Sequence, residues 1–241
     1  MGRVKIARKS TFIDMTAMSD VTVLLLTFFM LTSTFLQKEP ATVVTPPSVS
    51  TEKVQETNYV QVLVNPEGKV WLTMNNDTSQ DYSNEKMKAA LLDKVAEVYN
   101  QTHTKKINFT PTQKQAFSKL GTFGVPLAQM GEFLDLAVLP EGQTQMDKWL
   151  QGEDMNPNHK TGIPINWNKN EDAPNEFQIW KKALRQTDNP MLAEKIKDGS
   201  GVAIKADQNT AFEKIHMVMD NLQTIRMNKF TLLTALKAEG E

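Results

Sequence analysis

The sequence predicts a single N-terminal transmembrane helix followed by an α+β domain, a small sheet with helices on one face, which carries a partly helical insertion. Three observations predict it. An apolar run fills residues 15–36, an alternating pattern broken by a turn fills residues 59–74, and a strand-helix-strand pattern closes the chain over residues 201–236. Averages over the 241 residues hide this division, because 40% hydrophobic and 23% charged residues with a net charge of -1 describe a water-soluble protein. They still exclude two classes. A nucleic-acid binder needs a clustered surplus of Lys and Arg, and 27 basic against 28 acidic residues supply none. With no cysteine, disulfides, thiolate zinc sites and cysteine nucleophiles are ruled out.

From Met15 to Leu36 runs MTAMSDVTVLLLTFFMLTSTFL, which as a helix covers roughly 33 Å, enough to cross a bilayer. The span is expected over residues 13–36, behind a tail of residues 1–12. A cleaved signal peptide is the competing reading, but its apolar region is shorter and ends in small residues, which TFLQKEP lacks. Arg3, Lys5, Arg8 and Lys9 precede the run, whereas Lys38, offset by Glu39, immediately follows it. The positive-inside bias therefore puts the N-terminus in the cytoplasm and the bulk of the chain outside.

Asp20 lies inside this run. A carboxylate in hydrocarbon costs roughly 2.5–3.5 kcal/mol at a central position and less near an end, so its presence points to use. The plainer reading makes Asp20 a helix cap, with the span beginning at Val21; sixteen residues, Val21 to Leu36, then remain, fewer than a usual span. Thr16, Asp20, Thr27 and Thr34 fall within roughly 40° of one another at 3.6 residues per turn, so one face of the helix is polar. Such a stripe suits burial against other helices or a wet path. Against this, membrane threonines often bond their own helix, and Thr22, Thr32 and Ser33 lie off the stripe.

Residues 37–57 hold three prolines among many Thr, Ser and Val, the composition of an extended, semi-rigid linker without a fold of its own. The outer domain follows over residues 58–241. Tyr59–Val64 and Lys69–Met74 read as strands, and Asn65-Pro66-Glu67-Gly68 between them supplies a turn. Ser83–Tyr99 reads as a helix with Met87, Leu91, Val95 and Val98 on its apolar face and Ser83 or Asn84 as its cap. Near the C-terminus Gly201–Lys205 reads as a strand, Thr210–Thr224 as a helix with the stripe Phe212, Ile215, Met219, Leu222 and Ile225, and Lys229–Leu236 as a final strand. Two helices and four strands are few for this length. The surplus, about residues 101–200, contains short helices at Pro111–Leu120, Leu127–Leu136 and Asn175–Gln186, separated by Pro, Gly and Asn-rich connectors, and reads as an insertion packed beside the sheet.

No metal or cofactor is expected. His103, His159 and His216 show no ligand spacing, and His216 reads as a surface or partly packed residue. Asp207 reads as a turn carboxylate and Asp220 as part of a solvated helix face. There is no phosphate loop or nucleophile arrangement, so an enzyme in the ordinary sense is not expected.

Two separated segments resemble the ExbD/TolR biopolymer-transport family, ExbD more closely. DMTAMSDVTVLLLTFFML is similar to the family's membrane signature, an Asx residue, a Thr-Pro pair and an Asp-Val that open an aliphatic span. The match carries the family's essential aspartate onto Asp20 and its threonine onto Thr16; Ala17 stands where the family has proline, and Ser19 where it has an aliphatic residue. GVAIKADQNTAFEKIHMVMDNLQTIRMNKFTLLT resembles the family's C-terminal strand, helix and strand through Ala206, Asp207, Val218, Met219 and Asp220. Longer members carry a segment much like TPTQKQAFSKLGTFGVPL. The resemblance implies an inner-membrane, single-pass protein that dimerises inside a pentamer of an ExbB/TolQ-like multi-span partner and uses the proton gradient. It implies Asp20 as the proton-translocating group, with Thr16, Thr27 and Thr34 as an accessory polar face. It also implies an outer partner: a TonB-like protein reaching the outer membrane, or peptidoglycan. Open alternatives are a TolR-like envelope or motility motor subunit, and a tethered binding module whose span is only an anchor.

Overall fold

The computed structural model describes residues 15–32, 39–49, 57–75, 84–187 and 189–236. It forms two compact units, Met1–Lys38 and Glu39–Glu241. The first contains α1 (Met15–Thr32), 18 residues rich in Leu and Met, which lose little freedom in a helix. Among the described residues no helix is long and apolar enough to cross a membrane. Residues 13–14 and 33–36, the ends of the expected span, lie outside the described residues.

The second unit begins with a segment, residues 39–49, that includes β1 (Pro47–Ser48). A hairpin follows, β2 (Tyr59–Val64) and β3 (Val70–Asn75), in the register Val60↔Met74, Val62↔Leu72, Val64↔Val70. Its turn works as the residue types require. Asn65 Oδ1 accepts the Lys69 N–H at 2.8 Å, the Asn65 carbonyl accepts the Gly68 N–H at 2.9 Å, and Gly68 takes φ +81, open to glycine without a Cβ penalty. Then come α2 (Asn84–Thr102), α3 (Pro111–Lys119), β4 (Thr122–Phe123), α4 (Leu127–Asp135) with a 3-10 turn at Leu136–Val138, α5 (Gly142–Gln151), α6 (Glu176–Arg185) and α7 (Pro190–Asp198). The chain closes with β5 (Val202–Ala206), α8 (Phe212–Thr224), β6 (Thr231–Leu233) and β7 (Ala235–Leu236).

Five strands form one sheet in the order β4-β3-β2-β5-β6, with β2, β5 and β6 mutually parallel and β3 antiparallel to both neighbours. The period-2 alternation sorts the sheet into two faces. Val60, Val62, Val64, Val70, Leu72, Met74, Val202, Ile204 and Ala206 share one face and are buried. Tyr59, Gln61, Thr73 and Lys205 on the other face are half-buried. The expected last strand, Lys229–Leu236, is in fact two strands with different partners, because β6 joins β5 while β7 pairs in parallel with β1.

Two helix faces differ from the sequence expectation. On α2 the buried positions are Met87, Lys88, Leu91, Leu92, Val95, Ala96 and Tyr99, and Val98 lies at their margin. On α8 they are Met217, Val218, Asn221 and Leu222, followed by Ile225 just past its end; the expected Ile215 and Met219 lie at their margin, while Phe212 points outward. The buried polar Asn221 marks the shift of the α8 face. It fills a core position through hydrogen bonds, with Asn175 Nδ2 donating to its Oδ1 at 2.7 Å and its own Nδ2 donating to the Asn166 carbonyl at 2.9 Å, so hydrophobicity alone misplaces the face. The helix ends on Arg226 at φ +60, with the Arg226 N–H on the Gln223 carbonyl and the Met227 N–H on the Leu222 carbonyl, a Schellman arrangement.

The segment expected as an insertion beside the sheet builds the core itself. Phe117 on α3, Phe123 on β4 and Trp180 on α6 form one aromatic cluster, with Phe123 4.8 Å from each of the others. A Cβ on Gly124 would come within 2.3 Å of the Trp71 ring, so glycine is what lets the chain after β4 lie against β3. α6, started by a capping box between Asn175 and Gln178, buries Phe177, Gln178, Ile179, Trp180, Lys181, Ala183 and Leu184. Burial this nearly complete marks a central helix.

Candidate functional site

Asp20 is the one ionisable residue between Met15 and Thr32. Every described side chain of α1, from Met18 to Thr32, is exposed, including Leu26, Phe29, Met30 and Leu31. A run of exposed large apolar side chains is a surface for lipid or for other helices. Thr27 donates its hydroxyl to the Leu24 carbonyl at 2.9 Å, and Thr22 and Thr32 likewise donate to Met18 and Phe28 at 2.8 Å. On the expected polar face Thr27 therefore offers its oxygen as an acceptor while its proton is committed. The Thr16 side chain and Thr34 lie outside the described residues, so the stripe is described at Asp20 and Thr27.

In the second unit the sequence reads Asp207 as a turn carboxylate, and its turn role is met by the Asn209 N–H, which donates to Oδ1 at 2.9 Å. Its other oxygen does something the sequence did not suggest. Oδ2 accepts the Val44 N–H at 2.8 Å, and the Gln208 N–H donates to the Val44 carbonyl at 2.8 Å. The Asn209 and Val44 N–H groups hold the carboxyl below the usual carboxylate range. Lys205 pairs with Glu39 at 2.6 Å, and the β1–β7 pairing secures the far end of the segment. Residues 39–49, expected as part of a connector without a fold, are thus docked within the second unit. Proline and valine made the segment look like a free linker, but extended backbone also suits strand-like docking once donors and acceptors are offered.

The histidines do not converge. His103 stacks on Tyr99 with centroids 4.0 Å apart, His159 lies on Trp149, and His216 is exposed beside Phe212 and Trp167. Asp220 is half-buried. The sheet ends at β4 on one side and at β6 on the other; β6 is the longer edge and leaves Leu232 exposed. Two buried amines escaped the sequence reading. Lys88 on α2 donates to the Leu120 carbonyl and is pushed down by burial to about 8, and Lys181 on α6 is wholly buried and pushed down by burial to about 7.

No curated protein and no solved structure matches the chain. The C-terminal strand-helix-strand likeness, Gly201 onward, lies beyond the one segment that a family model matches. That segment, residues 7–123, takes in α1 with Asp20, the docked residues 39–49, the β2–β3 hairpin, α2, α3 and β4, and it matches the model of the biopolymer transport protein ExbD/TolR, which supports the assignment to the ExbD/TolR family.

Proposed function

We propose that this chain is the energy-transducing subunit of a proton-driven inner-membrane motor of the ExbB-ExbD type, which powers TonB-dependent transport across the outer membrane. The observation that carries the proposal is an apolar helix whose described side chains are all exposed and which holds one carboxylate, within the segment that matches a transport family. In this reading α1 belongs to a single span over residues 13–36, with the N-terminus cytoplasmic and the second unit periplasmic. Two copies sit inside a pentamer of an ExbB/TolQ-like partner. Asp20 takes up a proton on one side and gives it up on the other, because a carboxylate moving between a dry and a wet environment exchanges its proton. Thr27, and with it Thr16 and Thr34, offers oxygen acceptors along that path. One charge falling through 100 mV yields about 2.3 kcal/mol, so a forceful stroke takes several protons.

The outer unit engages a TonB-like protein or peptidoglycan, and the exposed β6 edge suits addition of an extended segment by backbone pairing. The reading assigns no enzymatic chemistry. Its test is Asp20→Asn, which removes the charge at nearly constant shape. Proton-dependent uptake is expected to be abolished while abundance and membrane extraction stay at wild-type levels, and a multi-span partner in excess co-purifies in mild detergent. Energised uptake at the normal rate in this variant would sink the proposal. A tethered binding module predicts the opposite: full function after the whole span is exchanged for a generic apolar helix. A TolR-like envelope or motility motor shares the Asp20 result and is separated by the process that fails.

A further inference from the structure

His159 sits in the turn after α5, its ring flat on Trp149, with centroids 3.6 Å apart and planes 1° from parallel. The side chain is only 11% exposed. Both nitrogens face carboxylates: Nδ1 meets Asp154 Oδ2, and Nε2 lies 3.2 Å from Glu132 Oε1 on α4. Nε2 also has a neighbour of the opposite kind, Asn156 Nδ2 at 2.9 Å. That amide cannot swing its oxygen to the ring without losing the bond its Oδ1 accepts from the Asn158 N–H at 3.1 Å. Nε2 is therefore placed between an acceptor and a donor. Imidazolium carries two N–H groups and suits the first, whereas neutral imidazole carries one N–H and one lone pair and suits the second.

We propose that His159 is a proton-operated tie between residues 152–163 and α4: as imidazolium it donates to both Asp154 and Glu132, and as the neutral Nδ1–H tautomer it keeps Asp154, accepts from Asn156 and releases Glu132. Charging strengthens the carboxylate holds and gives up only the bond from Asn156. The Asp154 bond becomes a full ion pair, the Glu132 bond forms, and the ring becomes a cation on an aromatic face. Burial pulls the ring's proton affinity down, but the hydrogen bonds to Asp154 and Glu132 outweigh it and leave His159 above the usual histidine range. The same bond to His159 holds Asp154 below the usual carboxylate range. Lys160 from the same turn and Lys69 just before β3 line the adjoining hollow, and α5 faces the ring with Trp149. With the folded value raised, the tie is fully present below the unfolded value of about 6.5 and is lost as pH rises through the folded one.

The released turn borders the sheet, since the Gly162 and Ile163 N–H groups donate to the Gly124 and Val70 carbonyls at 2.8 Å. If the second unit faces the proton-supplying compartment, a claim that rests on the motor reading, the tie tightens when that supply is plentiful. The tie itself does not depend on that reading.

Three histidines in the chain make the test tractable. Nitrogen-15 spectra of histidine-labelled full-length protein in detergent micelles, assigned with His103→Gln and His216→Gln, follow the ring from about pH 5 to 9. His159 is expected to titrate above the ordinary histidine value and to end as the Nδ1–H tautomer. Glu132→Gln, at an exposed position, is expected to lower the midpoint, and Asn156→Ala to return the neutral ring to the Nε2–H form. The Lys160 amide, which donates to Gln129 Oε1 on α4 at 3.0 Å, reports the tie; its protection, corrected for intrinsic exchange, is expected to fall several-fold through the midpoint and to be low at every pH in Glu132→Gln. A ring that does not titrate in this window, a neutral Nε2–H form in the wild type, or equal Lys160 protection on both sides of the midpoint overturns the proposal. None of these outcomes bears on the Asp20→Asn result, so the tie and the motor fail separately.

Discussion

Lys181 has nowhere to put its charge. Its Nζ is fully buried, has no hydrogen-bond partner among the described residues, and lies 5.7 Å from the centroid of the Phe177 ring, one turn back on α6. Burial depresses it to about 7, whereas an unfolded lysine titrates near ~10.4. The unfolded chain therefore binds more protons between these values, and stability rises with pH across that window; below it, both states are charged and the cost is fully present. Between pH 7 and 9 the gain is about 2 kcal/mol. Lys88, at about 8, adds a second rise, and His159 acts in the opposite sense, so the Lys181 part is the difference between wild type and variant. Lys181→Met is expected to raise the urea midpoint at pH 7 and to remove that share of the rise. An unchanged pH slope in Lys181→Met would contradict it. The residue was legible in principle. Phe177, Trp180, Lys181 and Leu184 follow the spacing of a buried stripe, and only the habit of placing every lysine in water hides it.

At the scale of elements, the docked segment and the short helices show what sequence patterns carry and where they stop. The hairpin was readable because alternation and an Asn-Pro-Glu-Gly turn agree, and β2 spans the expected Tyr59–Val64. The helix α7 is equally marked, with Asn189 as cap, Pro190 at its first position and Gly199 in the left-handed conformation just past its end, but these signals are hidden among similar punctuation nearby. Docking of residues 39–49 was not readable, because its partners lie more than 150 positions away, with |i−j| of 163 for Val44 and Asp207. The depressed carboxyl of Asp207 makes a prediction at this scale. Its contribution is present above about pH 3.8 and lost as pH falls through the folded value. Asp207→Ala, which leaves the Val44 and Asn209 N–H groups without their acceptor, is expected to speed amide exchange at Val44 about tenfold at pH 7 while helix content is unchanged. Equal exchange in the two proteins would show that β1–β7 pairing and the Glu39–Lys205 pair hold the segment alone.

For the whole molecule, the question is whether the segment between α2 and β5 is an ornament or half of the fold. Composition favoured the first, since Gly, Pro and Asn-rich connectors separate helices of only nine or ten residues, each too short to stand alone. Packing decides for the second. Trp180 touches Phe117 and Phe123, Trp71 of the hairpin lies on Gly124, and residues 162 and 163 are hydrogen-bonded to the chain around β3 and β4. A contiguous core shared in this way unfolds as one unit. Trp180→Ala should therefore cost about 3–5 kcal/mol, the range for removing a buried large aromatic, and the loss should be felt everywhere in the second unit. Hydrogen exchange of the full chain, followed through urea, is expected to show β2, β3 and α5 losing protection at one shared midpoint, shifted together in the variant. If α5 opened at lower urea while β2 and β3 kept the wild-type midpoint, the intervening segment would be a separately folded appendage. The distinction matters for the motor reading, because an outer unit that opens as one piece can transmit force between the docked segment at one sheet end and the exposed β6 edge, whereas an appendage would yield before it did so.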